Sequence, residues 1–137
     1  MSRRAVALLV PLLLAGCAMT QPRANEVSPE AVVQRQFDAY NRHDLDAFMA
    51  TYRDDARVWR MPATAPALDG GDAIRTFYRE SRFNLPTLHA ELVARTVLGG
   101  KVADHERVSG LGAEPVDALA VYEVVDGRIA NVWLFGP

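Results

Sequence analysis

Apolar residues recur at helical spacing in the first half of the folded sequence and at alternating positions in the second. Val33, Phe37 and Tyr40 fall at i, i+4 and i+7; Leu45, Phe48, Met49 and Tyr52 at i, i+3, i+4 and i+7; Ile74, Phe77 and Tyr78 share a third stripe. Each spacing lines its members along the side of a helix that packs on a core. The ends of these stretches agree with that reading. Ser28 followed by Pro29 and Glu30 caps a first helix, and Asp44, after the break at NRHD, caps a second. Gly70 and Gly71 precede the third, with Asp72 as its expected cap.

Strands account for the rest. A short one over 57–61 is stopped by Pro62, and a long one runs over 88–98. Gly99 and Gly100 turn the chain into Lys101–Ser109; a loop with Gly110, Gly112 and Pro115 leads to Val116–Val125. Asp126 and Gly127 then form a hairpin turn into Arg128–Phe135. Helices followed by a strand meander predict an α+β domain, with the helices on one face of an antiparallel sheet. A chain of 137 residues holds one such domain.

The N-terminus has a different pattern. MSRRAVALLVPLLLAGCAMT carries Arg3 and Arg4, then a run of apolar residues too short for a permanent membrane span, then small residues. This is the order of a secretory signal. Leu14, Ala15 and Gly16 before Cys17, the one cysteine, resemble the lipobox of bacterial lipoproteins. That resemblance implies a signal over 1–16, cleavage before Cys17, and acylation, including palmitate, of the cysteine. Each buried methylene contributes about 0.8 kcal/mol, so two or three acyl chains anchor a protein to the bilayer. Residues 17–27 then form a polar tether, spanning on the order of 17 Å as a random coil, and 28–137 the domain. Because Ala18 is not the aspartate that retains some lipoproteins at the inner membrane, the expectation is an outer-membrane protein facing the periplasm where the cell has two membranes.

Charge narrows the function classes. Loss of Arg3 and Arg4 takes the formal charge from −2 to −4, and the remaining basic residues form no run. Nucleic-acid binding, which needs a clustered basic face, is set aside. The single thiol leaves the processed chain no disulfide. No His or carboxylate pair has a helical ligand spacing with a third partner, so neither a metal nor another cofactor is expected.

Three stretches carry a family resemblance: VVQRQFDAYNRHDLDAFMATYRDDARVW, GGDAIRTFYRES and VYEVVDGRIANVWLFG. Their order and spacing resemble the nuclear transport factor two-like superfamily, in particular its SnoaL-like and ketosteroid isomerase-like branches, from about residue 27 to the C-terminus. The resemblance implies a cone-shaped, curved antiparallel sheet wrapped around three N-terminal helices, a cystatin-like α+β barrel with a deep and mostly apolar pocket. In the isomerases it further implies a carboxylate base just after the first strand, an oxyanion tyrosine on the first helix and a neutral acid on the penultimate strand. Those positions hold Arg60, Gln36 and Leu119, with Asp117 two residues out of place, and a guanidinium accepts no proton. Tyr78 does match a pocket tyrosine on the third helix. HERV and VYEVVDGRI also resemble the limonene epoxide hydrolases, and Arg107 matches their arginine. Ser109 and Leu134 stand where that family has carboxylates.

The segment KVADHERVSG remains. Strand alternation puts Ala103, His105, Arg107 and Ser109 on one face and Val102, Asp104, Glu106 and Val108 on the other. In the epoxide-hydrolase register the His105 face is the pocket face, and His105 is suited to proton transfer near neutrality. In the alternative, His105 and Arg107 lie outside and pair with a neighbouring strand. Trp59 and Trp133 likewise line either the pocket or an outer face on which such domains dimerise. The candidate pocket is therefore Trp59, Arg60, Tyr78, His105, Arg107 and Leu119, with His105, Arg107 and Tyr78 as the candidate catalytic groups. His43 and His89 are expected at the surface. Three readings follow: a lipid-anchored domain that binds a small apolar or amphipathic molecule without a known catalytic set; an isomerase, cyclase or hydratase using His105 and Arg107; and an interaction lipoprotein using its sheet face, including as a homodimer.

Overall fold

In the computed structural model, which describes residues 27–136, capping chemistry sets the first two helices. Ser28 Oγ accepts from the Ala31 amide at 3.2 Å to open α1 (Pro29–Asn41), and Asp44 Oδ1 accepts from the Ala47 amide at 3.0 Å to open α2 (Leu45–Met49). Between them the Asn41 side chain takes the place of a strand neighbour for Ala90. Its Nδ2 donates to the Ala90 carbonyl at 2.9 Å and its Oδ1 accepts from the Ala90 amide at 2.8 Å, tying the end of α1 to the sheet. The signal, Cys17 and most of the tether lie outside the described residues.

The strand β1 (Tyr52–Arg60) starts earlier than the pattern predicts. Tyr52 extends the helical stripe in sequence, but the Thr51 carbonyl is taken by the Ile129 amide at 2.8 Å, which draws the chain into the sheet. Tyr52 is still buried against Phe48, with ring centroids 5.1 Å apart. After β1 come a two-residue strand, β2 (Leu68–Asp69), absent from the sequence expectation, and α3 (Gly71–Ser81). The cap of α3 is Gly70 at φ 91°, not Asp72, which sits in the first turn and complements the helix dipole. The four long strands follow: β3 (His89–Leu98), β4 (Lys101–Ser109), β5 (Val116–Val125) and β6 (Arg128–Phe135). Asp126 and Gly127 both have positive φ, 51° and 75°, as a type I′ hairpin requires.

The sheet order is β2-β1-β6-β5-β4-β3. Here two expectations need correction. The sheet is mixed, because β6 returns beside β1 in parallel while every other neighbouring pair is antiparallel. It is curved but not closed into a barrel, since β2 and β3 are free edges. The α+β class stands, with helices on one face.

The core lies between that face and the helices. Val32, Val33, Phe48 and Ile74 from the helices meet Ala56, Val58, Val102, Ala120, Ile129 and Val132 from the sheet. Each fully buried side chain of the larger kinds contributes roughly 1.5–3 kcal/mol. A smaller cluster of Leu88, Ala90 and Val108 packs against Phe37, Tyr40 and Phe83. Between the two clusters the packing leaves room.

Candidate functional site

That room is a cavity of about 340 Å³ between the inner sheet face and the helices. Its apolar wall includes Phe37, Val58, Leu68, Val108, Val132 and Leu134. Set into it are the four tyrosines Tyr40, Tyr52, Tyr78 and Tyr122, together with Gln36, Glu106, Arg60 and Arg82. An apolar lining with a few polar groups is also the general make-up of pockets that take small molecules.

Alternation along β4 decides which of its residues enter. Val102 and Asp104 are fully buried and Val108 is nearly so, which fixes the face they share with Glu106 as the inner one. His105 and Arg107 therefore point outward, contrary to the epoxide-hydrolase register. There they flank Asp117 of β5: His105 Nε2 lies 3.3 Å from Asp117 Oδ1, and Arg107 Nε donates to the same oxygen at 3.2 Å. The Arg107 hydrogen bonds, then its charge, hold the Asp117 carboxyl below the usual carboxylate range.

Two further pocket candidates, Leu119 and Trp59, also face outward. Leu119, 41 % exposed, alternates with the inward Ala118 and Ala120. Trp59 lies beside Trp133 across the parallel β1/β6 pair, on the outer face, and its Nε1 donates to Asn131 Oδ1 at 3.3 Å. Arg60 and Tyr78 do line the cavity. His89 is exposed, whereas His43 is partly buried, its Nε2 2.8 Å from the Leu88 carbonyl and its ring stacked on Phe83.

The cavity groups absent from the sequence-derived set are Glu106, Tyr122, Tyr40, Tyr52, Gln36 and Arg82. A signal for Glu106 exists: it shares its alternation with Val102 and Val108, the two residues of KVADHERVSG that most demand burial.

The polar groups are ordered by one another. The Tyr122 hydroxyl donates to Glu106 Oε1 at 3.2 Å, and Gln36 Nε2 donates to the Tyr52 hydroxyl at 3.2 Å. Loss of hydration, reinforced by the negative charge of Asp104, pushes the Glu106 carboxyl up to about 7 against the opposing effects of Tyr122 and Arg95. Burial also raises the tyrosines, Tyr78 to about 12, so near neutrality they are hydrogen-bond donors. Farther along the same face Arg95 grips Asp104 through two bonds of 2.7 Å and donates to Gln34 of α1 at 2.7 Å. Chemically, the cavity pairs a carboxyl able to exchange a proton near pH 7 with neutral hydroxyl donors for a developing oxyanion. Among the described residues no group of three His, Cys, Asp or Glu side chains is placed to hold a metal ion.

Helices on one face of a curved, unclosed sheet, with a tyrosine-lined cavity between them, define an α+β fold of the cystatin-like class. The sequence profile of the SnoaL-like domain matches residues 33–132, and the chain belongs to that family. Solved structures agree. A cystatin-fold protein from Novosphingobium aromaticivorans superposes with a TM-score of 0.73 at 23 % identity, over 79 % of this chain and 97 % of that one. A candidate ketosteroid isomerase from Kribbella flavida gives 0.69 at 23 % identity, over 80 % and 77 %. A candidate polyketide cyclase from Sinorhizobium meliloti gives 0.65 at 30 % identity, over 75 % and 92 %. No curated protein matches the sequence.

Proposed function

We propose that the domain binds a small, mostly apolar molecule in its cavity and moves a proton on it, in the manner of an isomerase or cyclase, with Glu106 as acid and base. The observation that carries this reading is the Glu106 carboxyl on an apolar cavity wall, hydrogen-bonded at 3.2 Å to Tyr122. A carboxyl so placed is poised for transfer near neutral pH, and protonated tyrosines supply the donors that an enolate oxygen needs. The names of the Kribbella and Sinorhizobium proteins belong to the same chemistry. The role first expected of His105 and Arg107 passes to Glu106, because both lie on the other face. The test is deuterium uptake from D₂O into a panel of cyclic enolisable ketones. Uptake above buffer that falls about 10²-fold or more in Glu106→Gln supports the reading; uptake unchanged in that variant removes Glu106 from the chemistry.

The anchor is a proposal from sequence. Leu14, Ala15 and Gly16 before the single Cys17 support lipidation and an envelope location facing the periplasm, on the outer membrane where there are two. Cys17→Ala should move the protein from the membrane to the soluble fraction, and retention on the membrane would mean another anchor. Among the described residues no helix is long and apolar enough to cross a bilayer. The outer sheet face also supports a second reading, a homodimer or a partner interface, because Trp59 and Trp133 adjoin there and Leu119 is exposed. Sedimentation of Leu119→Arg against the wild type distinguishes a self-interface from a free face.

A further inference from the structure

Two arginines of the cavity differ from six of the other nine among the described residues. Arg53, Arg57, Arg75, Arg79, Arg95 and Arg107 each pair with a carboxylate. Arg60, at the end of β1, and Arg82, just after α3, have no carboxylate partner among the described residues. Both are instead held over the ring of Phe77, with Cζ 5.7 and 4.7 Å from its centroid, and all three side chains line the cavity. An aromatic face attracts a guanidinium but takes none of its N–H donors, which lie in the guanidinium plane. Arg82 spends one of them on the Ser81 carbonyl at 2.7 Å; the Arg60 guanidinium makes no hydrogen bond to any described residue.

Among the described residues, two cations with open donors thus share a cavity with a single carboxyl, Glu106. Both act on Tyr78 with the sign opposite to that of Glu106, so their field reaches the interior. The guanidinium fork matches a carboxylate, which it binds through two parallel hydrogen bonds. An anionic group would be repelled from ionised Glu106, which sets the direction of entry.

We propose that the cavity selects a molecule carrying a carboxylate on an apolar body, with the carboxylate held by Arg60 and Arg82 and the body directed toward Glu106. This rests on the reading of the cavity as a small-molecule site and names the ligand class. Phe77 is then a positioning residue, which keeps the two guanidinium groups in place without bonding the ligand's charge.

The test uses 2-naphthylacetic acid and its amide, which match in shape and differ in charge, with the neutral dye Nile red as a separate probe of the cavity. At pH 8 and low salt the purified chain should bind the acid about tenfold or more tightly than the amide. Arg60→Gln and Arg82→Gln should each reduce that preference, and together abolish it, with the acid losing more affinity than the amide, and raising the salt should narrow the gap in the wild type. Equal affinity for acid and amide in the wild type, or a preference that survives in the double variant, overturns the carboxylate assignment and leaves the small-molecule site standing. Nile red bound without the acid has the same meaning. Failure of all three probes to bind overturns both.

Discussion

Glu106 of β4 and Tyr122 of β5 meet inside the cavity, the tyrosine hydroxyl donating to the carboxyl at 3.2 Å. The contact crosses neighbouring strands on the inner face of the sheet. It joins a group that would otherwise be ionised to a donor that favours its ionised form, and burial still prevails.

The pH dependence of stability follows from that balance. In the unfolded chain Glu106 ionises around its ordinary 4.5, and in the native cavity around 7. Between these values the native state keeps a proton that the unfolded state has lost, so rising pH favours unfolding. The stabilising contribution is complete below about 4.5 and gone above about 7. Urea melts of wild type and Glu106→Gln should therefore diverge from pH 5 to pH 8, the wild type losing about 2–3 kcal/mol relative to the variant. Parallel curves would show that the carboxyl ionises in the folded protein as it does in water.

Removing the Tyr122 hydroxyl should make the carboxyl harder to ionise. Tyr122→Phe keeps the ring that packs in the core and deletes the donor. Carbon-13 NMR of the glutamate carboxyls should then find the Glu106 midpoint above its wild-type position, and the deuterium-exchange profile should move to higher pH with it. A midpoint that falls would mean that the hydroxyl accepts rather than donates.

Much of the fold was legible in the sequence, because the evidence for it is local. The Asp126-Gly127 turn, the Ser28 and Asp44 caps and the bounds of β4, β5 and β6 depend on nearest neighbours along the chain. The parallel β1/β6 pair and the strand β2 depend on distant segments meeting, which no local pattern states. The site was legible in part. Alternation separates the KVADHERVSG charges into two sets but leaves open which set faces inward, and the resemblance carried by Arg107 points to the His105 face. The burial of Val102, and of Asp104 under Arg95, decided otherwise. Arg95 stands directly opposite Asp104 across β3 and β4, just beyond a bulge that resets the register between Leu92 and Ala94, so local pattern does not put the two side by side.

That buried pair supplies a separate prediction. Asp104 is inaccessible and the Arg95 side chain nearly so, each satisfied by the other through two bonds. Arg95→Met strands the aspartate in a dry site and should cost about 3–5 kcal/mol. Adding Asp104→Leu removes the stranded charge, so the double variant should regain most of that loss in thermal melts. If the single and double variants are equally unstable, the damage lies in packing rather than in an uncompensated charge.

Two glycines with positive φ should respond unequally to alanine, and the comparison separates backbone strain from crowding. Gly127, at φ 75°, has open space where a Cβ would stand, so Gly127→Ala meets only the left-handed backbone penalty, about 1–2 kcal/mol. Gly110, at φ 85°, has the Thr87 carbonyl and the Leu88 amide nitrogen pressed against that position, too close to admit a Cβ. Its backbone passes directly over the segment that feeds β3, and neither neighbour can rotate away as a side chain would. Gly110→Ala must therefore move the β4/β5 loop or the start of β3, where Leu88 and Ala90 anchor the smaller core cluster. It should cost at least twice as much as Gly127→Ala, on the order of 3 kcal/mol or more, as measured by denaturant midpoint. Equal losses at the two sites would mean that the contact between Gly110 and Thr87 yields freely.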